Sequence, residues 1–197
     1  MTRCAGVVLV VFAVTGCSGG QSDRVFEAAD ATRVAAVRPV APDWTWPRAA
    51  AEPESDPSAS RSSDPLLVEL QRRMAPLTES GDAANTWRDN DKLGNLAVGV
   101  YGSARDAHEA MAAMNEFSRG WGERSGDVTR DEQVDGLGDE AWRLWVGGSG
   151  TQVTYHWRRG NLVVEAHVHC FGSCPSDVDA ATRAWVDAID TAAQVSS

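Results

Sequence analysis

Basic residues other than arginine are nearly missing: of 18 Lys and Arg, only Lys92 is a lysine. The formal charge is -10, which argues against a nucleic-acid-binding surface, since such domains are usually basic. Cysteine is scarce as well, at four residues, so no disulfide-dense scaffold is possible. The longest apolar run, Ala5–Gly16, has 12 residues and falls short of the ~20 that a membrane-spanning helix needs. Motifs of several enzyme classes are missing too. There is no G-x-S-x-G nucleophile elbow, no G-x-G-x-x-G and no P-loop, and Gly147-Gly148-Ser149-Gly150 reads as a hairpin loop. The stretch Asp89–Gly94, DNDKLG, starts like a calcium loop, but Leu93 and Val100 stand where ligands are required. No cofactor motif remains. Nothing in the chain singles out a catalytic residue, and the expectation is a non-enzymatic protein.

What is present begins at the N-terminus. MTRCAGVVLVVFAVTGC has a positive residue, Arg3, then the apolar run, then Val14-Thr15-Gly16-Cys17. This arrangement fits a secretory leader, and the four residues resemble the lipobox of bacterial lipoproteins. The resemblance implies cleavage after Gly16, lipid on Cys17, and a protein held by acyl chains on the extracytoplasmic face of the cell membrane. Residues 1–16 are then the signal peptide. Residues 17–63 read as a lipidated, mostly disordered tether, because six of the eight prolines fall between Pro39 and Pro65 and few apolar side chains are available to bury. Asp43-Trp44-Thr45-Trp46 interrupts it, either as an added strand or as a short partner-binding motif.

Residues 64–197 read as a globular α+β domain. Asp64-Pro65 opens a helix with Leu67, Leu70, Met74 and Leu77 on one stripe. NTWRDNDKLGNLAVGVYG suggests a hairpin. Ser103 caps a second helix carrying Ala107, Met111, Met114, Phe117 and Trp121, and Ser176 caps a last one with Trp185 and Ile189. Between them lie three strand-like runs, 140–146, 151–158 and 161–170. The expected architecture is an antiparallel sheet of about five strands with three helices on one face.

The meander allows a register argument. A turn at Arg159-Gly160 pairs Trp157 with Leu162, and a loop over Gly147–Gly150 pairs Trp142 with Tyr155. Both place Trp142, Leu144, Val146, Val153, Tyr155, Trp157, Val164 and Val168 on one buried face. The other face then holds Arg143, Trp145, His156, Glu165, His167 and His169, with rows Arg143–Thr154–Glu165 and Trp145–Gln152–His167. Arg143, Trp145, Glu165 and His167 are the candidate binding residues, for an envelope protein or a small-molecule ligand. A solvated sheet face is the plainer reading of the same residues.

HVHCFGSC, His167–Cys174, concentrates four potential metal ligands. Strand parity turns Cys170 away from the two histidines. His167 and His169, with Glu165 beside them, leave a metal-binding protein or metal-dependent enzyme as the alternative function. Cys170 and Cys174 are the cysteines remaining after the leader and Cys17. An oxidising envelope favours their pairing as a disulfide, while a redox-active pair is the sharper alternative. The segments VDGLGDEAWRLW and HWRRGNLVVEAHV, in a lipobox-tethered chain, resemble the small uncharacterised envelope lipoproteins of high-GC Gram-positive bacteria. That resemblance carries no site residue across.

Overall fold

The computed structural model describes residues 25–39, 64–89, 91–148, 150–171 and 177–195. Residues 1–24 with Cys17, residues 40–63 with Trp44 and Trp46, and residues 172–176 with Cys174 and Ser176 lie outside the described residues. The lipidation and disulfide expectations fall there.

The described chain is α+β, as the pattern of runs suggested. Four helices, α1 (Ala28–Ala35), α2 (Pro65–Met74), α3 (Ala104–Ser125) and α4 (Val178–Gln194), accompany six strands. The strands are β1 (Glu79–Asp89), β2 (Lys92–Tyr101), β3 (Asp127–Gln133), β4 (Glu140–Gly147), β5 (Gly150–Arg159) and β6 (Leu162–Phe171). They form one antiparallel sheet in the order β1-β2-β6-β5-β4-β3. Helix α3 carries the chain from β2 to the far edge, and the meander β3 to β6 returns it to β2.

Local chemistry sets the helix starts. The Asp64 carboxylate accepts the Leu66 N–H at 2.9 Å and Pro65 occupies the first helical position. The Ser103 hydroxyl accepts the Asp106 N–H at 3.0 Å, satisfying donors that the helix leaves free. Strand β3 had no sequence signal. DVTRDEQ has no alternating apolar side and is almost wholly exposed; its charges protect a sheet edge.

The helices divide between the two faces instead of sharing one. Helices α1 and α4 pack on the face holding Leu96, Val98, Val100, Tyr155, Trp157, Val164, Ala166 and Val168. Helices α2 and α3 lie on the other, with Ala107, Ala110 and Met111 against Val163 and Tyr101. The small residues of α3 explain its close seating: a Cβ on Gly122 would stand 2.8 Å from a Val146 methyl.

Helix α1 lies within the stretch read as tether, and Phe26, Ala31, Val34 and Ala35 are fully buried. The folded unit therefore begins before residue 64. Asn161, itself buried, accepts the Phe26 N–H at 2.7 Å and donates to Phe26 O and Tyr101 O. This side chain pins the N-terminal segment to the sheet. At Gly81 the contact is closer still: a Cβ there would meet Ala28 Cβ at 2.5 Å.

Two register differences decide where functional side chains go. The β5–β6 turn is Gly160-Asn161, with Arg159 opposite Leu162, so every pair moves by two residues and keeps its face. Gly160 takes φ +56°, which glycine alone adopts without strain. The β4–β5 register moves by one: Trp142 opposes His156, Leu144 opposes Thr154 and Trp145 opposes Val153. A one-residue shift turns every β4 side chain over. Trp142, Leu144 and Val146 thus face α3, while Arg143 and Trp145 join the α4 face.

Candidate functional site

The four candidate binding residues do not form one site. Arg143 and Trp145 lie on the α4 face, and Glu165 and His167 on the α3 face. Arg143 is committed to a local network: it donates to Asp179 at 2.8 Å and to Glu132, and reaches the Tyr155 hydroxyl at 3.5 Å. Trp145 sits under the Arg130 guanidinium, 5.0 Å from the ring centre, and Arg130 in turn bonds Asp179. These contacts tie β3 and β4 to the first turn of α4.

On the α3 face a polar row crosses the sheet. The His156 ring, 2 % exposed, hydrogen-bonds Asn115 of α3 through Nδ1 at 2.6 Å and Glu165 through Nε2 at 3.1 Å. The second Glu165 oxygen lies 3.9 Å from His167 Nδ1. His167 Nε2 is 3.4 Å from the Asn95 amide, and Asn95 accepts from the Thr86 hydroxyl at 2.8 Å. His156 is the centre of the row because it opposes Glu165, where a turn at Arg159-Gly160 would have set it opposite Val163. Parity could not separate the two registers, since both keep the apolar face. Cross-strand His–Glu complementarity was the signal that would have chosen between them.

Burial pushes the Glu165 carboxyl up, but hydrogen bonds and charge from His156 and His167 outweigh it and hold the group well below its ordinary value near 4.5. A carboxylate depressed in the folded state stabilises fully above its unfolded pKa and loses that contribution as pH falls. Thermal melts should therefore show stability declining below about pH 4.5, and Glu165→Gln should flatten that acid limb. Parallel limbs in the two proteins would refute the assignment.

His169 does not complete a ligand set with His167. Its ring packs on Phe171, centroids 4.2 Å apart, and its pKa is lowered by burial and then by His167. Among the described residues no group of three His, Cys, Asp or Glu side chains is placed to hold a metal ion. Cys170 is buried on the opposite face, as strand parity required.

Beyond the edge of α3 the sheet lies open. Asp82, Ala84 and Ala97 are exposed, and the cross-strand pairs Ala84–Ala97 and Asp82–Gly99 make a floor of small residues. This shelf leads from the polar row to a cleft of about 210 Å³ bounded by Glu79, Asp82, Gly99, Tyr101, Met114 and Val163. Nothing in the composition announced it; Ala and Gly on an amphipathic strand read as packing residues. The two ends of the shelf differ. Every member of the polar row has a neighbour to satisfy it. At the cleft, Tyr101 is 3 % exposed yet its hydroxyl has no hydrogen-bond partner among the described residues. Glu79 and Asp82 have no cationic partner there either. Burial, then Asp82, raises the Glu79 pKa; burial, then the two carboxylates, raises that of Tyr101, which stays a neutral phenol.

No helix of the described residues is long and apolar enough to cross a membrane. No family model matches the chain, and no curated protein matches it significantly. Among solved structures it is similar to the extracellular domain of PknH from Mycobacterium tuberculosis, at 15% sequence identity and a TM-score of 0.36, over 66% of this chain and 71% of that one.

Proposed function

We propose that this protein is a lipid-anchored extracytoplasmic lipoprotein whose folded domain is a non-catalytic binding module, and that the shelf along β1 and β2 is where it takes its ligand. The leader and the Val14–Cys17 motif support the anchoring. The binding reading is carried by one observation: the shelf ends in a cleft whose acidic and hydroxyl groups have no partners among the described residues. Glu79 and Asp82 are exposed at the mouth of the cleft, where an incoming ligand can reach them. The polar row stiffens the rear of the shelf and needs no reaction to account for it.

Two measurements test this. Labelled palmitate should enter the wild-type protein in cells and not Cys17→Ser; equal labelling would sink the anchoring. Crosslinking in intact cells should capture a ligand or envelope partner with wild type, and Ala97→Trp, which obstructs the exposed floor, should reduce capture at least tenfold, the scale of a lost binding contact of about 1.4 kcal/mol. Undiminished capture by a folded Ala97→Trp protein would move the site elsewhere.

A further inference from the structure

The cleft at the Tyr101 end of the shelf has the chemistry of a cation site, and we propose that it binds the protonated amino group of a small alkylamine. The proposal names a ligand class for the shelf and rests on the binding-module reading. Glu79 and Tyr101 are cross-strand partners on β1 and β2. A glutamate oxygen and the phenol oxygen lie 3.0 and 3.3 Å from the point where a Cβ on Gly99 would stand. Because Gly99 has no side chain, the edge of the Tyr101 ring, 3.1 Å from the same point, and the two oxygens can converge over its backbone. Asp82, opposite Gly99, adds a second carboxylate.

The Glu79 and Tyr101 oxygens thus meet in a cleft that Asp82 also lines, and an alkylammonium carries three N–H donors. The charge is right as well. The two carboxylates have no cation beside them among the described residues, and Asp82 opposes the ionisation of Glu79. A bound cation relieves that repulsion and gives the Tyr101 hydroxyl a donor to accept from. The remaining walls, Met114 and Val163 with the Ala97 floor, are apolar and suit a short methylene chain; methionine adapts its shape to such a guest. The cleft volume, about 210 Å³, is below the ~300 Å³ at which drug-sized pockets begin, so the ligand is small. A calcium ion is a poorer match, since it takes about six to eight oxygens and two carboxylates with a phenol offer fewer.

The test uses the full-length protein carrying methyl-labelled methionine, titrated with butylamine at pH 7 while the Met114 resonance is followed. A saturable shift is expected with butylamine and none with butanol, which has the same chain without the charge. Glu79→Gln and the exposed Asp82→Asn should each weaken binding about tenfold, and Tyr101→Phe, with an unchanged melting temperature, by a smaller factor. Equal binding of butanol, unaltered affinity in both carboxylate variants, or no saturable shift would overturn the proposal. Calcium chloride alone producing the Met114 shift, with the same sensitivity to Glu79→Gln, would replace the amine by a metal. If butylamine fails while Ala97→Trp still abolishes capture in cells, the ligand class falls and the shelf stands.

Discussion

Trp185→Ala will lower the unfolding free energy by about 3–5 kcal/mol, the usual range for removing a large aromatic side chain from a core. Trp185 is fully buried on α4 and meets Trp87 of β1 edge to face, with ring centres 5.6 Å apart and planes at 87°. Its indole N–H donates to Val37 O at 3.0 Å, just beyond α1. One side chain therefore joins α4, the sheet edge and the N-terminal segment. For a domain of this size the loss corresponds to a fall in melting temperature of roughly 10–20 °C. Trp185→Phe keeps most of the packing but loses the hydrogen bond and should recover more than half. Urea unfolding of the three proteins measures both effects. A change below about 1 kcal/mol in the alanine variant would mean that α4 does not close the core in this way.

A comparable loss, about 3–5 kcal/mol, is expected for Asp139→Ala at the other end of the sheet. Asp139 and Arg158 are both nearly buried, at 7 and 8 % side-chain exposure, with 3.5 Å between carboxylate and guanidinium. The same carboxylate accepts the Gly160 N–H at 2.6 Å, while Arg158 donates to Gly160 O at 3.1 Å. Asp139 thus holds the β5–β6 turn as well as the charge. Removing it strands a buried guanidinium, for which Glu140 at 3.5 Å compensates only in part. Replacing both members of a buried pair is milder than breaking it. Asp139→Ala with Arg158→Met should therefore be more stable than Asp139→Ala alone, and a double-mutant cycle reads the difference. Simple additivity would show that the two side chains do not interact. The neighbouring Gly138 explains the tightness of this corner: at φ +56°, a Cβ would come within 2.4 Å of Arg158 O.

How much of this was legible in the sequence differs from element to element. Helices α2 and α3 carried their start signals in Asp64-Pro65 and Ser103, and their apolar spacing located them. Helix α1 did not. Its eight residues are rich in alanine and sit beside proline-rich sequence, so that their burial depends on a sheet formed 50 residues later. Strand β3 was invisible because an exposed edge strand needs no apolar side. The register of β5 on β6 kept its parity, since Val153, Tyr155, Trp157, Val164, Ala166 and Val168 all demand the same face.

The β4 register failed for an instructive reason. Parity selects a register when only one face is buried. Here α3 covers the second face, and β4 has apolar residues at both parities: Trp142, Leu144 and Val146 on one, Ala141 and Trp145 on the other. Either choice buries large side chains. The candidate site inherited the error, joining Arg143 and Trp145 to Glu165 and His167 across a sheet that separates them.

The sequence by itself determined the composition and an antiparallel α+β fold, because those depend on local chemistry and on periodicity along the chain. Only the tertiary structure decided that both faces of the sheet are covered, that His156, Glu165 and His167 form one row, and that Glu79, Asp82 and Tyr101 meet around a glycine. Those are juxtapositions of residues distant in the chain. They follow from which strand registers and helix packings bury the most surface together, a property of the folded molecule as a whole.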